Sequence, residues 1–460
     1  MLHDMFEHVY VINLPHRTEK LDEFFHKLPT DWPFRHPEQY VAVDGGLASP
    51  PDWWKGGKGA WGCYKTHLRI LEDCLSREVH SVLILEDDAV CVEGFTEKVQ
   101  TFWQHLPEDW GMVYLGGQNI QERQGLPRKV NDWVYKPFNI NRTHCYGLRS
   151  RRMIERAYKH INNFVDWKVP HHVDHYFGEL HKQMETGLYV PKEWLVAQSE
   201  GKSDVSGKNV DLRLFPSTEG ILNPVIDRPC FAVMGAYFSG INTLAGAMRE
   251  LGLFLGTNLG KEPPPNQPHF FEDAYLGEIC RNAYSEPWLE EQRPRGDLIG
   301  HLRHWAGMQC AKMPKEVPAI FGKHPMLSLM GAEIMETWNA PKFICVERDP
   351  DECYKSMTKA PWCWHPSAAR HAFHRMADAR EEFFEQVQPP LLRIPYDAMK
   401  AEPERIVTEL CEFVQHVPLH QQRQNVLKLI KETNDDLCLS QAVVKEPVKT
   451  GSEPRQARRK

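Results

Sequence analysis

Ser81-Val82-Leu83-Ile84-Leu85 runs directly into Glu86-Asp87-Asp88. A short apolar run that stops at carboxylates reads as a strand buried on both faces, as in a parallel sheet covered by helices. In such sheets ligands bind beyond the carboxyl ends of the strands. Three acids gathered there raise one another's pKa. A divalent cation relieves that repulsion, and oxygen ligands suit Mg²⁺ or Mn²⁺. A solvated acidic turn after a buried strand accounts for this segment equally well.

On either side of the run, elements of the two types alternate. Residues 8–14 and 40–44 read as strands, the second ending in the turn signal Asp44-Gly45-Gly46. A helix is expected over 62–77, with Tyr64, Leu68, Leu71 and Leu75 on one face. A helix near 94–105 and a strand at 112–115 follow, which makes the class α/β. Pro216, Gly220, Pro224 and Pro229 then punctuate the chain, and a second pattern begins. Cys230–Met234 reads as a new buried strand, followed by a glycine-bearing loop and a helix carrying Leu244, Met248 and Leu251. A strand is expected at 343–347, helices at about 368–388 and 403–415, and a strand at 392–394. We expect a first domain at 1–211, a linker at 212–228, a second domain at 229–445 and a basic, disordered tail at 446–460.

The chain has 460 residues, too many for one ordinary core. A net charge of −7 gives no support to nucleic-acid binding, which wants a basic face. The twelve cysteines form no CxxC pair, which argues against a zinc ribbon and suits buried thiols in a reducing compartment. No segment reaches the ~20 apolar residues of a membrane span, and the start lacks a basic region followed by an apolar one. The expectation is a soluble, cytoplasmic protein with at most peripheral membrane contact.

The first half carries Val11-Ile12-Asn13-Leu14 with Arg17, Val43-Asp44-Gly45, Gly59-Ala60-Trp61-Gly62-Cys63 with His67, and Leu83 to Asp88. Thr143 to Tyr146, Ser150, Val173-Asp174, Pro191, Gln198 and Ser203-Asp204 follow in order. This series resembles the family 25 glycosyltransferases of lipooligosaccharide and collagen galactosylation. The resemblance implies a GT-A-type, Rossmann-like domain, a UDP-sugar donor, a glycan or glycoconjugate acceptor and an inverting reaction. Residues two apart on a strand share a face, so Glu86 and Asp88 are expected together. Asp88 is then a direct ligand of Mn²⁺ or Mg²⁺, and Glu86 a ligand or a water-mediated partner. Asp87 turns elsewhere, toward the ribose. A metal on the diphosphate neutralises charge as the bond breaks.

Asn13 and Arg17, just past the first strand, are nucleotide contacts by the same resemblance, and a surface charge is the plainer reading of Arg17. Asp44 holds uracil or ribose, or simply builds an Asp-Gly turn. His67 is a site residue or a core histidine. Asp174 matches the downstream aspartate and is the expected general base toward the acceptor hydroxyl. It lies within Pro170-His171-His172-Val173-Asp174-His175, whose histidines lack the Glu of a zincin pattern. A glycoside hydrolase would need its two carboxylates at least ~5 Å apart across the scissile bond, which a contiguous Glu-Asp-Asp does not suit.

In the second half, Gly235 and Gly240 have the spacing of a phosphate-binding loop between strand and helix. Ile241 and Asn242 stand where Lys and Ser/Thr belong, which disfavours ATP or GTP hydrolysis. The 235–243 loop, Phe271-Glu272-Asp273, Lys323-His324-Pro325, Arg348-Asp349-Pro350 with Ser356, and Pro395-Tyr396-Asp397 resemble the sulfotransferase family. That implies a P-loop-like α/β domain and a 3′-phosphoadenosine-5′-phosphosulfate site. Ser239, Gly240, Ile241, Asn242 and Thr243 would hold the phosphosulfate end, and Arg348 and Ser356 the 3′-phosphate. Phe238 replaces the usual Lys or Arg before Ser-Gly, and Lys323 is the expected catalytic substitute. Two readings stay open: a second transferase acting on the same class of acceptor, or a degenerate module that binds an acceptor or partner.

Overall fold

The computed structural model describes residues 2–163, 172–202, 209–210, 212–259, 271–359 and 364–432. It divides into two compact units, Met1–Pro224 and Val225–Lys460. The 203–204 pair, His171 and the 446–460 tail lie outside the described residues. Among the described residues, no helix is long and apolar enough to cross a membrane.

Unit one runs β1 (His8–Asn13), α1 (Thr18–Lys27), β2 (Glu38–Val41), α2 (Gly57–Ser76), β3 (Ser81–Glu86), β4 (Ala89–Cys91) and α3 (Phe95–Gln104). It continues β5 (Met112–Asn119), β6 (Arg128–Lys129), β7 (Val134–Lys136), β8 (Ile140–Arg149), α4 (Arg151–Asn162), α5 (Val173–Lys182), β9 (Leu188–Pro191) and β10 (Val196–Gln198). The main sheet has the order β2-β1-β3-β8-β5-β9-β7-β6. Val82 and Ile84 face one core with Tyr64, Leu68, Ile154 and Phe177. Leu83 and Leu85 face the other with Phe24, Val99 and Phe102. Helices on both sides explain why the run does not alternate. Burying each such side chain is worth roughly 1.5–3 kcal/mol.

Three expectations are corrected. The sheet is not uniformly parallel: β3 pairs in parallel with β1 but antiparallel with β8. The sequence hid β8 because Thr143 and His144 are polar yet buried, which breaks the apolar signature of a central strand. The second strand ends at Val41 rather than 44, and Asp44 lies in the turn beyond it. The helix begins at Gly57 rather than 62. There the chain folds tightly: a Cβ on Gly62 would lie 2.5 Å from the Val43 carbonyl oxygen, and one on Gly45 2.1 Å from that of Lys58. These close approaches hold the 43–46 turn against the start of α2.

Unit two contains a four-stranded, wholly parallel sheet in the order Ile320–Lys323, Cys230–Met234, Lys342–Glu347, Leu391–Pro395. The strand Ile320–Lys323 is an addition to the sequence reading. One face packs Ala232, Phe343 and Cys345 against Tyr275, Trp305 and Met376. The other packs Phe231, Val233 and Ile344 against Leu244, Met248 and Val407. Helix Ile241–Glu250 starts seven residues after the strand Cys230–Met234 ends.

Candidate functional sites

Beyond the carboxyl ends of β1 and β3 lies a cavity of about 330 Å³. Asn13, His16, Asp44, Lys58, Cys63, His67, Glu86 and Asp87 are among its lining residues. Register explains the gathering: Ile12 pairs with Glu86 and Asn13 with Val41, so the ends of β1, β2 and β3 are level. Because β8 runs the other way, its early residue Thr143 also arrives at the end of β3.

Each acid has a different environment. Glu86 Oε1 accepts a hydrogen bond from Thr143 Oγ1 at 2.6 Å and lies 3.5 Å from His67 Nε2. Burial pushes this carboxyl up, but the nearby His67 ring and the Thr143 hydrogen bond hold it below the usual range. Asp87 Oδ2 accepts from Asn13 Nδ2 at 2.7 Å. Asn13 is itself fastened, donating also to the Arg17 carbonyl and accepting from Gln39 Nε2. Asp88 Oδ2 accepts from Gln198 Nε2 at 3.2 Å, while Oδ1 is buried with no hydrogen-bond partner. Burial, then the charges of Glu86 and Asp87, push Asp88 up to about 8.

The expected face-sharing is altered by where the strand stops. β3 ends at Glu86 and the next two residues form a turn, so the two-residue alternation does not continue. Glu86 and Asp87 line the cavity together, whereas Asp88 sits in the turn leading to β4, which pairs with β10 and thereby brings in Gln198.

His67 is fully buried, with Nδ1 2.9 Å from the Tyr146 hydroxyl. Asp44 lines the cavity and also caps its own turn, accepting from the Gly46 N–H at 2.7 Å. Arg17 contributes its carbonyl to Asn13, and the cavity lining includes His16 rather than Arg17. Asp174 lies in the first turn of α5 and accepts from the Arg142 and His175 N–H groups. It does not line the cavity, but its charge reaches the Cys63 thiol, which burial, then Glu86, Asp174 and Asp88, raise well above the ordinary value.

In unit two, Gly240 takes φ +99° and caps helix Ile241–Glu250. A Cβ there would lie 2.3 Å from the Tyr396 ring. Ser239 is buried, its Oγ without a hydrogen-bond partner, at this helix N-terminus. Thr243, in the first turn, is also buried. Phe238, in the position usually held by a cation, has φ +63°, an uncommon conformation for a bulky residue. Its carbonyl accepts from Arg348 Nη1 at 3.0 Å, and the Arg348 guanidinium lies 4.6 Å over the Tyr396 ring. Ser356 is buried on helix Pro350–Lys359.

Lys323, at the end of its strand, is brought to this loop. Its Nζ donates to Asn242 Oδ1 and to Glu272 Oε1, the latter at 2.8 Å. Burial holds Lys323 below the usual lysine range despite Glu272. Burial pushes Glu272 up, but the Lys323 charge and hydrogen bond outweigh it and hold it low. His324 Nδ1 accepts from the Met326 N–H and ends the strand, a structural duty.

Several site residues had no role in the sequence reading. Thr143, Gln198, Cys63 and Glu272 stood inside quoted motifs, so a signal was present. Gln39 carried none, since only the pairing of β1 with β2 brings it to Asn13.

With this geometry in place, comparisons locate the two halves. Residues 57–162 match the family model of glycosyltransferase family 25 (LPS biosynthesis protein), and residues 271–419 match that of the sulfotransferase family. Procollagen galactosyltransferase 2 of Mus musculus is 25% identical over 80 residues, 16% of this chain and 13% of that protein. Its Homo sapiens counterpart is 24% identical over 70 residues, 15% and 11%. The chain thus spans about an eighth of the curated relatives it matches. Among solved structures, sulfotransferase STF9 of Mycobacterium avium is 12% identical with a TM-score of 0.33, covering 46% of this chain and 69% of that one. Sulfotransferase STF1 of Mycobacterium tuberculosis H37Rv is 13% identical with a TM-score of 0.32, covering 48% and 77%. Each half carries a region matching a transferase family.

Proposed function

We propose that unit one moves a galactose-like hexose from a UDP-sugar to a glycan or related acceptor, with inversion and with Mn²⁺ or Mg²⁺. The observation that carries this reading is the acidic end of β3, where Glu86 and Asp87 line the cavity of about 330 Å³ and Asp88 follows in the next turn. The donor set fits a hard cation: Asp88 Oδ1 is buried and unpartnered, and the neighbouring groups are carboxylates. Asp88 and Glu86 would hold the ion, which supplies charge neutralisation to the leaving diphosphate. Asn13 keeps Asp87 oriented for a ribose hydroxyl. His16 and Lys58 bring cationic or protonatable groups to the cavity wall. Asp174, held by two backbone N–H groups, is the proposed base that takes the acceptor's proton.

A thermal-shift panel tests this reading. A UDP-sugar with Mn²⁺ at 100 times its Kd should add about 2.7 kcal/mol of stability. No shift in wild type, or the same shift in Asp88→Ala, removes the assignment.

For unit two we propose an anion site for 3′-phosphoadenosine-5′-phosphosulfate. Its loop is Ser239 to Thr243, Arg348 and Ser356 lie on the 3′-phosphate side, and Lys323 stands in for the missing cation. The unpartnered Ser239 Oγ at a helix N-terminus supports an anion there. When bound, that cofactor supplies the sulfuryl group. Lys323 would donate to the bridging oxygen, and Glu272 beside it would accept a proton from an acceptor hydroxyl. The engagement of Lys323 by Glu272 and Asn242 favours the second reading, a binding module without sulfuryl transfer. Stabilisation by 3′-phosphoadenosine-5′-phosphate, lost in Arg348→Ala, supports the cofactor site. Radiolabelled sulfate transfer, abolished by Lys323→Ala, separates the enzyme from the module.

A further inference from the structure

We propose that Cys63, His67 and Glu86 form a second, softer metal site that takes Zn²⁺ and, when filled, withdraws Glu86 from the sugar-nucleotide cavity. Cys63 and His67 are four residues apart on α2, so they project from one face of the helix. Glu86 reaches them from the end of β3. One ligand atom from each, Sγ, a ring nitrogen and a carboxylate oxygen, lies within 4.8 Å of the other two. A tetrahedral zinc with bonds of about 2.0–2.3 Å needs separations of roughly 3.3–3.6 Å, which modest side-chain rotation supplies.

His67 provides the independent sign of a ligand. It is fully buried, and its Nε2 has no hydrogen-bond partner although Glu86 stands 3.5 Å away. Its other nitrogen faces the Tyr146 hydroxyl at 2.9 Å. If Nδ1–H donates to that oxygen, the lone pair lies on Nε2, the tautomer that metal-bound histidines adopt when an outer group holds the second nitrogen. Thr143 fixes Glu86 Oε1 in the same way. Three side chains and an open fourth position toward the cavity leave room for water or a substrate oxygen.

The ligand type sets this site apart from the carboxylate pair of the proposed transferase. Thiolate and imidazole favour zinc over magnesium or manganese. Binding releases the Cys63 proton to solvent and involves no redox step. Only the withdrawal of Glu86 rests on the function proposed above; the metal site itself stands on its own geometry.

Titration of the full chain with Co²⁺ tests the site. A thiolate-to-cobalt charge-transfer band and tetrahedral ligand-field absorption are expected, both lost as one equivalent of Zn²⁺ displaces the cobalt. Cys63→Ser should abolish the charge-transfer band, His67→Gln should weaken zinc at least about tenfold, and Asp88→Asn should leave both intact. Circular dichroism of each variant guards against misfolding. A wild-type spectrum without the band, or a Cys63→Ser spectrum identical to wild type, overturns the site. In wild type, zinc should also remove the thermal shift given by UDP-galactose with Mn²⁺, and should not do so in Cys63→Ser. A cobalt band with an undiminished UDP-galactose shift overturns the withdrawal of Glu86. If UDP-galactose gives no shift at all, the transferase reading and the withdrawal both fail, while the cobalt arm still decides the metal site.

Discussion

In each unit a buried strand delivers charge to its carboxyl end, but the two ends are satisfied differently. β3 ends at Glu86 and runs into Asp87 and Asp88, and the buried Oδ1 of Asp88 has no hydrogen-bond partner. The strand Ile320–Lys323 ends in one buried cation whose Nζ already meets Glu272 and Asn242. Desolvated charge is costly unless paired. Unit one therefore retains a buried carboxyl oxygen without a hydrogen-bond partner, whereas unit two carries its counter-charge within the chain. On the function proposed above, the first site needs its ligand and the second does not.

The strongest way to break this contrast is Asp88→Ala. We expect glycosyl transfer to fall by about 10²–10³, with the Mn²⁺ dependence of UDP-sugar binding abolished. Equal Mn²⁺ titration curves for variant and wild type would erase this contrast. Next in size, Lys323→Ala leaves Glu272 facing a low-dielectric site without its cation. That should cost roughly 3–5 kcal/mol of unit-two stability by denaturant unfolding. The double variant Lys323→Met with Glu272→Gln should lose much less. Equal losses would mean that the pair is not what satisfies this end.

Acid should act on both units alike. Burial pushes His144 in unit one and His324 in unit two down to about 4. It pushes His181 and His301, one in each unit, to about 3. The unfolded chain takes up these protons near pH 6.5 and the folded chain does not. Stability is therefore full above about pH 6.5 and falls as pH drops toward 4. Melting curves should shift down by several °C between pH 6.5 and 5. A midpoint that does not move over this range would contradict the buried, neutral histidines.

The smallest effect sharpens the picture of the cavity wall. Gly62→Ala places a methyl 2.5 Å from the Val43 carbonyl oxygen. Overpacking of this kind costs roughly 1–3 kcal/mol. It should also push the 43–46 turn off α2 and weaken UDP-sugar binding more than metal binding. An unchanged UDP-sugar affinity would remove Asp44 from the site.

Much of this was legible in the residues. The apolar run at 81–85, the strand at 230–234 and the helical stripe of α2 announce themselves because burial on two faces or one leaves a local pattern. Asp44 at a turn and His67 on an apolar face were visible as candidates. Other features were not visible. β8 was hidden because Thr143 and His144 are buried for their hydrogen bonds, against the usual preference of polar side chains. Gln39 gave no sign, since its contact with Asn13 depends on the register of β1 with β2.

The sequence by itself determined the α/β class and the placing of charged groups at strand ends, because hydrophobic periodicity and chain order are local properties. Only the tertiary structure decided how those charges are met. Where β3 stops put Asp87 in the cavity and Asp88 in the turn. The antiparallel course of β8 brought Thr143 to Glu86, and the packing of α2 set Cys63 and His67 beside it. In unit two, the adjacency of two parallel strands brought Lys323 to the loop that lacks its own cation. Such pairings join residues from 19 to 81 positions apart, and their energies depend on distance and burial, which no local pattern encodes.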